Sequence, residues 1–540
     1  MKKHWILVVV YAGLLLWGLG RVHLFDWDEI NFAECAREMG VSGNYQQVQI
    51  DFRPFLEKPP LFIWLQALSM HVFGSNEFAA RFPNAVLGVV LPIILGWFGR
   101  RWFNPTFGWL WAMSYAGSIL PLFYFKSGII DPWFNAFMFL GLAGLMEYQR
   151  SGNQRYGWLI MAAITTGLAV LTKGPVGVLI VGGVAFIYTA LDRFRLLRQW
   201  RQVVLAIMVF IVTGGSWFIY QGLTGQSQLM LEFIAYQVRL FTTQDAGHGG
   251  FPFYHVVVLW FGVFPAAIFA LPAFKKMWRK VPDDYFRWMS IAFWLVLILF
   301  SITKTKIVHY SSFCYLPLTF LAAHSLHERF HLPNPLLKWQ KNLLVVQAGV
   351  WVLVVIGLQW VGLNTEQLSK LVTIRDPFAE ASLAAEVSWS GWEWLITLPL
   401  ILAIVVIYKK IVFLRQLELF YGLVFLFTLL TMHMLVPRIE GYSQRAAIEF
   451  YKQHAAEDAD ITALEYKSYA HLFYGRRRVE NQATEPKEAY IMRLTSGDIH
   501  RPAYFVTVNR KWTRIKDNYP QLTVLGEKNG FVFLVRYPEH

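Results

Sequence analysis

Long apolar stretches alternate with short polar turns along the first four fifths of the chain. A helix needs about 20 mostly apolar residues to cross the hydrocarbon core of a bilayer, so these stretches predict membrane-spanning helices. The pattern predicts an α-helical polytopic membrane protein with about 13 transmembrane helices. The predicted spans cover residues 5–24, 80–99, 104–124, 131–148, 157–172, 174–191, 203–222, 254–274, 288–303, 307–326, 343–362, 391–408 and 416–436.

The composition agrees with this class of protein. Hydrophobic residues make up 56% of the 540 residues and charged residues 16%, whereas soluble domains carry about 25% charged residues. The two cysteines, Cys35 and Cys314, cannot form a disulfide framework and lack the spacing of metal ligands. We therefore expect both to be packing residues. The first span is expected to stay uncleaved, because no small-x-small site follows it.

Lysine and arginine are concentrated in the turns on one side of the predicted spans, as in Arg100-Arg101 and Lys275-Lys276. Short loops rich in these residues face the cytoplasm, which places the N-terminus there. The formal net charge of +14 is then a sign of topology and of contact with anionic membrane lipids. We expect no nucleic-acid partner, because the basic groups are spread over separate turns and form no single stripe.

The last hundred residues have a different character, with charged residues in quick succession. The odd number of spans places them on the outer face of the membrane. The predicted elements are a helix over 443–454 and strands over 461–466, 504–508 and 531–536, with a hairpin turn at Lys528-Asn529-Gly530. The sequence thus predicts a transmembrane domain, residues 1–436, and a periplasmic soluble α/β domain, residues 437–540.

The first outer loop, residues 25–79, concentrates acidic and basic groups at a bilayer surface, where a very apolar chain has little structural use for them. Two amphipathic helices are predicted in it, one starting near Asp28 and one at Pro59-Pro60, and both are expected to lie flat on the membrane. Lys58 then precedes a helix N-terminus, where free N–H groups and the helix dipole favour an anion. The phosphate of a lipid substrate would fit there.

Other polar groups fall on the same predicted membrane face. Asp131 starts the fourth span, and His248 lies in a glycine-rich stretch. Lys304 and Lys306, followed by His309 and Tyr310, open the tenth span. We expect these groups to converge with the first loop on one site.

These motifs resemble the aminoarabinose (lipid A) transferase branch of the GT-C glycosyltransferases, which is related to the protein O-mannosyltransferases. The matching motifs are Asp28-Glu29 followed by Phe32-Ala33-Glu34 and Ala36-Arg37-Glu38-Met39, Glu57-Lys58-Pro59-Pro60, Arg81, Asp131-Pro132, Leu171-Thr172-Lys173-Gly174-Pro175 and Gly247-His248 before an aromatic-rich stretch. They cover roughly the first 320 residues. Asn31 departs from the branch, which tends to place an arginine three residues after the acidic residue.

The resemblance implies a GT-C-like fold in the bacterial cytoplasmic (inner) membrane. It also implies transfer of a sugar from a polyprenyl-phosphate carrier to an acceptor on the periplasmic side, such as lipid A. We predict Asp28 and Glu29 as catalytic residues and Lys58, Arg81, Lys304 and Lys306 as ligands of the donor phosphate. Glu57, Asp131 and His248 match positions that bind a metal ion, zinc, in this branch.

The chemistry can be argued from the residues as well. A polyprenyl phosphate is already a usable leaving group, so the enzyme must stabilise its charge and orient the acceptor. Lysines at the membrane surface can do the first. A carboxylate at Asp28 can orient the acceptor and, where the acceptor is a hydroxyl, take its proton. An acceptor phosphate is already ionised and needs no strong base.

Simpler interpretations stay open at the level of the sequence. Asp28 and Glu29 could cap a surface helix, Lys58 could be a snorkelling lysine, His248 could be a turn residue, and Lys304 and Lys306 could be loop charges. Alternative functions are transfer to protein hydroxyls, as in the O-mannosyltransferases, and transport of a lipid-linked sugar. A transporter, however, usually places ionisable residues near the bilayer midplane, whereas those of this chain gather on one face.

Overall fold

The computed structural model describes residues 2–55, 57–194, 199–242, 249–277, 283–371, 374–409, 411–481 and 485–539. The helices of the N-terminal half are α1 (Lys2–Leu16), α2 (Asp28–Ser42), α3 (Leu61–Phe73), α4 (Glu77–Trp102), α5 (Pro105–Ala116), α6 (Ile119–Phe125), α7 (Asp131–Arg150), α8 (Tyr156–Lys173), α9 (Val176–Leu191), α10 (Trp200–Leu223), α11 (Ser227–Thr242), α12 (Tyr254–Gly262) and α13 (Ala266–Met277).

The C-terminal half continues with further helices and a sheet. The helices are α14 (Asp284–Ile302), α15 (Tyr315–Glu328), α16 (Lys338–Leu363), α17 (Thr365–Leu371), α18 (Pro377–Leu383), α19 (Leu398–Tyr408), α20 (Phe413–Met434), α21 (Val436–Ser443), α22 (Arg445–His454), α23 (Ala470–Tyr474), α24 (Lys487–Ser496) and α25 (Asn509–Asn518). The strands are β1 (Gln49–Ile50), β2 (Arg53–Pro54), β3 (Asp460–Ala463), β4 (Ala503–Val508), β5 (Thr523–Lys528) and β6 (Phe531–Arg536). Short 3₁₀ helices span Val308–Cys314, Glu393–Thr397 and Val479–Asn481.

Within the described residues, six helical segments are long and apolar enough to cross a membrane. They are α4, α8, α10, α14, α16 and the continuous segment Phe413–Ser443. Shorter apolar helices, such as α9, accompany them. The predicted polytopic helical membrane fold is confirmed, whereas the number of 13 spans stays a prediction.

Several predicted spans are interrupted. The span over 104–124 is split at Gly117 into α5 and α6, the span over 254–274 is split into α12 and α13, and the span over 307–326 begins as a 3₁₀ helix. The first span was predicted too long, since α1 ends at Leu16 rather than at residue 24. Its last carbonyl groups are bound by the buried Lys126, whose Nζ donates to the carbonyl oxygens of Leu15 and Trp17 at 2.7 and 2.8 Å.

Helices α4 and α5 form a tight hairpin. Asn104, between them, caps α5 by accepting a hydrogen bond from the backbone N–H of Phe107. The two helices meet at glycines, because a Cβ built on Gly108 would lie 2.3 Å from the carbonyl oxygen of Gly96. Small residues at such a crossing let the two backbones approach each other closely.

We call the described residues from 437 onward the C-terminal unit. Its four-stranded sheet has the order β3-β4-β6-β5, with β3 and β4 parallel and the other pairs antiparallel. The predicted helix and the three predicted strands correspond to α22, β3, β4 and β6. Strand β5 was not predicted; it is the exposed edge strand and carries no run of buried apolar residues.

Helix α2 lacks the exposed apolar face that the prediction of a helix lying flat on the membrane requires. Helix α2 is buried from Glu29 to Met39, because the C-terminal unit packs over it. One hydrophobic cluster joins the two, with Ile30 and Ile63 of the loop beside Ile448 and Phe473 of the C-terminal unit. Helix α3 keeps a partly exposed apolar side, as the prediction required.

Candidate active site

A cavity of about 420 Å³ lies where the first loop, the helix bundle and the C-terminal unit meet. Its volume falls within the range of roughly 300–1,000 Å³ that is usual for small-molecule sites. Its apolar wall comes from α7, α9 and α14 and includes Phe134, Met138, Ile180 and Phe300. Its acidic, lysine and histidine lining residues are Asp26, Asp28, Glu29, Glu57, Lys58, Asp131, Lys173, His309 and Lys467.

The structure brings part of the predicted site together. Asp28, Glu29, Glu57, Lys58 and Asp131 all line the cavity. Arg81, Lys304 and Lys306 do not. His248 lies outside the described residues.

Asp28 is the first residue of α2 and faces His309 across the cavity. The distance from Asp28 Oδ2 to His309 Nε2 is 3.7 Å, with the carboxylate 38% exposed and the imidazole 18% exposed. The start of α2 has no side-chain capping hydrogen bond. Asp28 is therefore not serving as a helix cap, and its carboxylate is accessible to a molecule in the cavity.

Lys58 lies two residues before Pro60, the N-cap of α3, as the sequence indicated. Its Nζ donates to the carbonyl oxygen of Glu57 at 3.2 Å and lies 5.6 Å from the ring centre of Tyr236. It forms no ion pair with a carboxylate of the described residues. Burial lowers the pKa of Lys58, and the Glu57 and Asp28 carboxylates oppose that shift. The ammonium group is thus free to pair with an incoming anion.

Asp131 and Lys173 form a buried ion pair in the cavity wall. Asp131 opens α7, Lys173 ends α8, and Oδ1 and Nζ are 2.6 Å apart. The side chains are 1% and 14% exposed. Lys173 also lies 5.7 Å from the ring centre of Tyr310. A positive charge is thus held near the cavity with its counter-ion already in place.

The predicted roles of Glu29 in catalysis and of Arg81 in phosphate binding need correction. All five N–H groups of the Arg81 guanidinium are used, two by Glu29 and three by backbone carbonyl oxygens. The pair is 5–6% exposed. Glu29 also accepts a hydrogen bond from the backbone N–H of Phe25. This pair fixes the start of α2 and has no donor left for a phosphate.

Lys304 and Lys306 do not line the cavity, although Thr303 and Ile307 on either side of them do. Lys304 is exposed. Lys306 is buried, and its Nζ donates to the carbonyl oxygens of Phe300 and Ser301 at 3.0 and 2.6 Å. Lysine in this position satisfies carbonyl groups at the end of a helix, here α14. Neither residue is therefore placed by the structure to bind a donor phosphate in the cavity.

The predicted zinc ligands fit a metal incompletely. Glu57 and Asp131 line the same cavity, and Asp131 Oδ2 is buried without a hydrogen-bond partner. Lys173, however, already neutralises this carboxylate. The described part of the chain contains no group of three His, Cys, Asp or Glu side chains placed to hold a metal ion. A three-ligand site would need His248, so the zinc stays a prediction.

The sequence analysis gave no role to three residues that line the cavity, Lys173, Tyr236 and Lys467, and it expected His309 near the site without a role of its own. Lys173 and His309 fell in motifs already noted on the predicted outer face, and that position was a usable signal. No sequence signal pointed to Lys467, because it reaches the first loop from about 440 residues further along the chain.

Comparisons with known proteins show which families this chain resembles. The model of the dolichyl-phosphate-mannose-protein mannosyltransferase family matches residues 57–217. The undecaprenyl phosphate-alpha-4-amino-4-deoxy-L-arabinose arabinosyl transferase 2 of Pseudomonas fluorescens is 26% identical over 385 residues, which are 67% of this chain and 67% of the relative. The arabinosyl transferase of Pseudomonas aeruginosa is 27% identical over 401 residues, 70% of this chain and 68% of the relative. The resemblance to the aminoarabinose transferase branch is confirmed.

The fold is shared with a solved structure of this branch. The crystal structure of ArnT from Cupriavidus metallidurans bound to undecaprenyl phosphate has a TM-score of 0.78 and 19% sequence identity, and the match covers 100% of both chains. The match extends past residue 320, where the sequence motifs end. It confirms the predicted helical membrane fold, which this chain shares with that structure.

Proposed function

We propose that this protein transfers a sugar from an undecaprenyl-phosphate carrier to a phosphorylated lipid acceptor such as lipid A. The observation that carries the proposal is the cavity itself, whose lining combines Lys58 and Asp28 with an apolar wall from α7, α9 and α14. A lipid-linked sugar has the matching character, with a phosphate between a polar sugar and a long apolar chain. The curated relatives are named as arabinosyl transferases that use undecaprenyl phosphate, which favours aminoarabinose as the sugar.

Lys58 is the residue best placed to bind the donor phosphate. It has no carboxylate partner among the described residues, and it stands before the N-terminus of α3, where free N–H groups add to the positive potential. When the bond between the sugar and the phosphate breaks, negative charge grows on the leaving phosphate. An ammonium group already in place stabilises that charge without reorganisation.

Asp28 acts on the acceptor side of the reaction. Its carboxylate is accessible and stands 3.7 Å from His309, a neighbour that can hold its orientation. With a phosphate acceptor, Asp28 needs no proton transfer; it stabilises the positive charge that develops at the anomeric carbon as the leaving group departs. With a hydroxyl acceptor the same carboxylate would take the proton.

The Asp131–Lys173 pair shapes the electrostatics of the cavity from α7 and α8. Held at 2.6 Å, it provides a fixed dipole whose ammonium end can support a second phosphate oxygen. A zinc ion bound by Glu57, Asp131 and His248 would add a Lewis acid for the phosphate. The roles proposed for Lys58 and Asp28 do not depend on it.

The proposal includes the orientation in the membrane. The turns rich in lysine and arginine indicate a cytoplasmic N-terminus, so the cavity and the C-terminal unit face the periplasm of the inner membrane. Transfer would then take place where the head groups of envelope glycolipids are found.

The alternative of transfer to protein hydroxyls is supported by the match of residues 57–217 to the mannosyltransferase family model. Transport of a lipid-linked sugar is less favoured. The charged residues of the cavity belong to the first loop, to helix termini and to the C-terminal unit, whereas transporters place theirs near the bilayer midplane.

The direct test is transfer by the purified protein in lipid vesicles. We expect aminoarabinose from undecaprenyl phosphate-aminoarabinose to appear on lipid A, detected by mass spectrometry. Asp28→Asn keeps size and polarity and should lower the rate about 10²–10⁴-fold. No transfer to lipid A, with transfer to a peptide hydroxyl instead, would favour the mannosyltransferase alternative. A wild-type rate for Asp28→Asn would remove Asp28 from catalysis.

A further inference from the structure

Two of the three lysines in the cavity lining have no carboxylate partner in the described parts of the chain. Lys173 is paired with Asp131, whereas Lys58 and Lys467 are not paired. The proposed donor offers one phosphate, and Lys58 is placed to bind it. A second unpaired cation in the same cavity indicates a second anion.

Lys467 is held in a defined place by an aromatic ring. Its Nζ lies 4.1 Å from the ring centre of Trp27, a distance typical of a cation–π contact. Trp27 directly precedes Asp28, is 37% exposed and also lines the cavity. The ammonium group therefore lies in the cavity lining, over the residue that precedes Asp28, and the lysine side chain is exposed.

The backbone conformation of Trp27 supports the interpretation that this contact belongs to a functional site. Its φ of 36° and ψ of −88° lie outside the regions that a bulky residue adopts without strain. Such strain persists when the surrounding contacts over-determine the conformation, and it gathers at functional sites.

Those contacts come from the C-terminal unit. Gln444 donates to the carbonyl oxygen of Leu24 at 2.6 Å and accepts from the backbone N–H of Asp26 at 3.1 Å. The hydroxyl of Tyr474 accepts from the backbone N–H of Leu24 at 2.7 Å. The Asp26 carboxylate is hydrogen-bonded by Ser468 and by the backbone N–H of Tyr469. The Asp26 carboxylate thus accepts hydrogen bonds from the two residues that follow Lys467. It forms no ion pair with the Lys467 ammonium group.

We propose that Lys467, held over Trp27, binds a phosphate of the lipid acceptor while Lys58 binds the phosphate of the donor. This inference rests on the proposed function and names a specificity residue for it. The prenyl chain of the donor keeps its phosphate near the membrane helices and the half-buried Lys58. Lys467 is exposed and comes from the C-terminal unit, where the head group of an acceptor would approach.

The charges in the cavity lining give a second reason. Asp26, Asp28 and Glu57 line the same cavity and would repel an anionic acceptor. A cation placed beside them offsets that repulsion and selects for an acceptor that carries a phosphate. An acceptor without a phosphate would gain nothing from Lys467.

A purely structural role for Lys467, fastening the C-terminal unit to the first loop, can be separated by a matched control. Lys487 belongs to the same unit, and its Nζ lies 5.9 Å from the ring centre of Tyr469. It does not line the cavity. Both lysines are exposed, so replacing either by methionine keeps most of the side-chain volume and removes the charge.

The experiment measures steady-state transfer from undecaprenyl phosphate-aminoarabinose to lipid A that carries two phosphates or one. With the diphosphorylated acceptor, we expect Lys467→Met to raise the acceptor KM about tenfold or more and to leave kcat and the donor KM unchanged. Lys467→Arg should restore most of the affinity, and Lys487→Met should match the wild type. With the acceptor that lacks the bound phosphate, wild type and Lys467→Met should become equal.

Two results would overturn the inference. One is a rise in the donor KM in place of the acceptor KM, which would assign Lys467 to the donor. The other is an unchanged acceptor KM, or an equal change in Lys487→Met, which would leave Lys467 a structural contact. Both presuppose a wild-type protein that transfers sugar; absence of any transfer by the wild type refutes the proposed function instead.

Discussion

At the scale of single residues, the site depends on which charges are already satisfied. Arg81 and Glu29 satisfy each other, and Lys306 is used by the carbonyl groups at the end of α14. Asp28 and Lys58 keep a group free for a substrate. Only the three-dimensional structure shows which of these groups already have hydrogen-bond partners. In the sequence, all five residues are equally suitable as site residues.

Lys58 gives a prediction about the donor and about pH. Lys58→Ala should weaken donor binding or turnover about ten- to a hundredfold through loss of a charge-assisted contact. Because burial lowers the pKa of Lys58, its positive charge is present at low pH and is lost earlier than that of a free lysine as pH rises. Donor binding should therefore weaken with rising pH.

The control for Lys58 is an arginine, which stays protonated at any pH that the protein tolerates. In Lys58→Arg, the decrease in donor binding at high pH should disappear even if overall affinity is lower. Donor affinity measured across pH for the three proteins checks this. The same alkaline decrease in Lys58→Arg would assign the titration to another group.

Breaking the Glu29–Arg81 pair is expected to lower the stability of the fold, whereas changing Lys58 is expected to affect donor binding. Breaking a buried ion pair by removing one partner costs about 3–5 kcal/mol, so Glu29→Gln should lower the melting temperature of the purified protein clearly. Asp28→Asn, one position away and accessible, should leave it nearly unchanged. A catalytic defect in Glu29→Gln at full stability would return Glu29 to the list of catalytic residues.

At the scale of elements, close helix packing fixes the bundle that carries the cavity. Gly108→Ala in α5 should destabilise the protein by about 1–3 kcal/mol, because the new Cβ would meet the carbonyl oxygen of Gly96 at 2.3 Å. Gly349→Ala in α16, where nothing lies within 4 Å of a built Cβ, is the matched control and should be neutral. Thermal unfolding in detergent distinguishes the two; equal melting temperatures would contradict this account of the hairpin.

The position of α2 also belongs to this scale. Its apolar pattern is that of an amphipathic helix, and such a helix is expected at the membrane surface. The structure buries it between the bundle and the C-terminal unit. The pattern identified the helix correctly but could not identify the second surface that covers it.

At the scale of the whole molecule, the C-terminal unit is part of the site rather than an appendage, since it supplies Lys467 and fixes the segment before Asp28. This requires the unit and the cavity to lie on the same side of the membrane. A reporter enzyme that is active only outside the cytoplasm, fused after the last residue, should therefore be active. The same reporter inserted at the Arg100-Arg101 turn should be inactive. A silent but stably expressed C-terminal fusion would overturn the topology.

The sequence by itself determined the membrane class, the main helices, the two helices of the first loop and most of the C-terminal sheet. These follow from local patterns of hydrophobic and polar residues. Such a pattern shows, within a single segment, whether it forms a helix or a strand and which of its faces is buried. It also placed Asp28, Glu57, Lys58 and Asp131 in one region, because their motifs fall on one predicted membrane face.

The tertiary structure alone decided which of these groups are free. The five hydrogen bonds of Arg81, the pairing of Asp131 with Lys173 and the contact of Lys467 with Trp27 join segments between about 40 and 440 residues apart. Such contacts leave no periodic trace in the sequence, because a charged side chain has the same identity whether it is paired or free. Its partners are set by the packing of distant segments, and that packing determines which charges remain to bind a substrate.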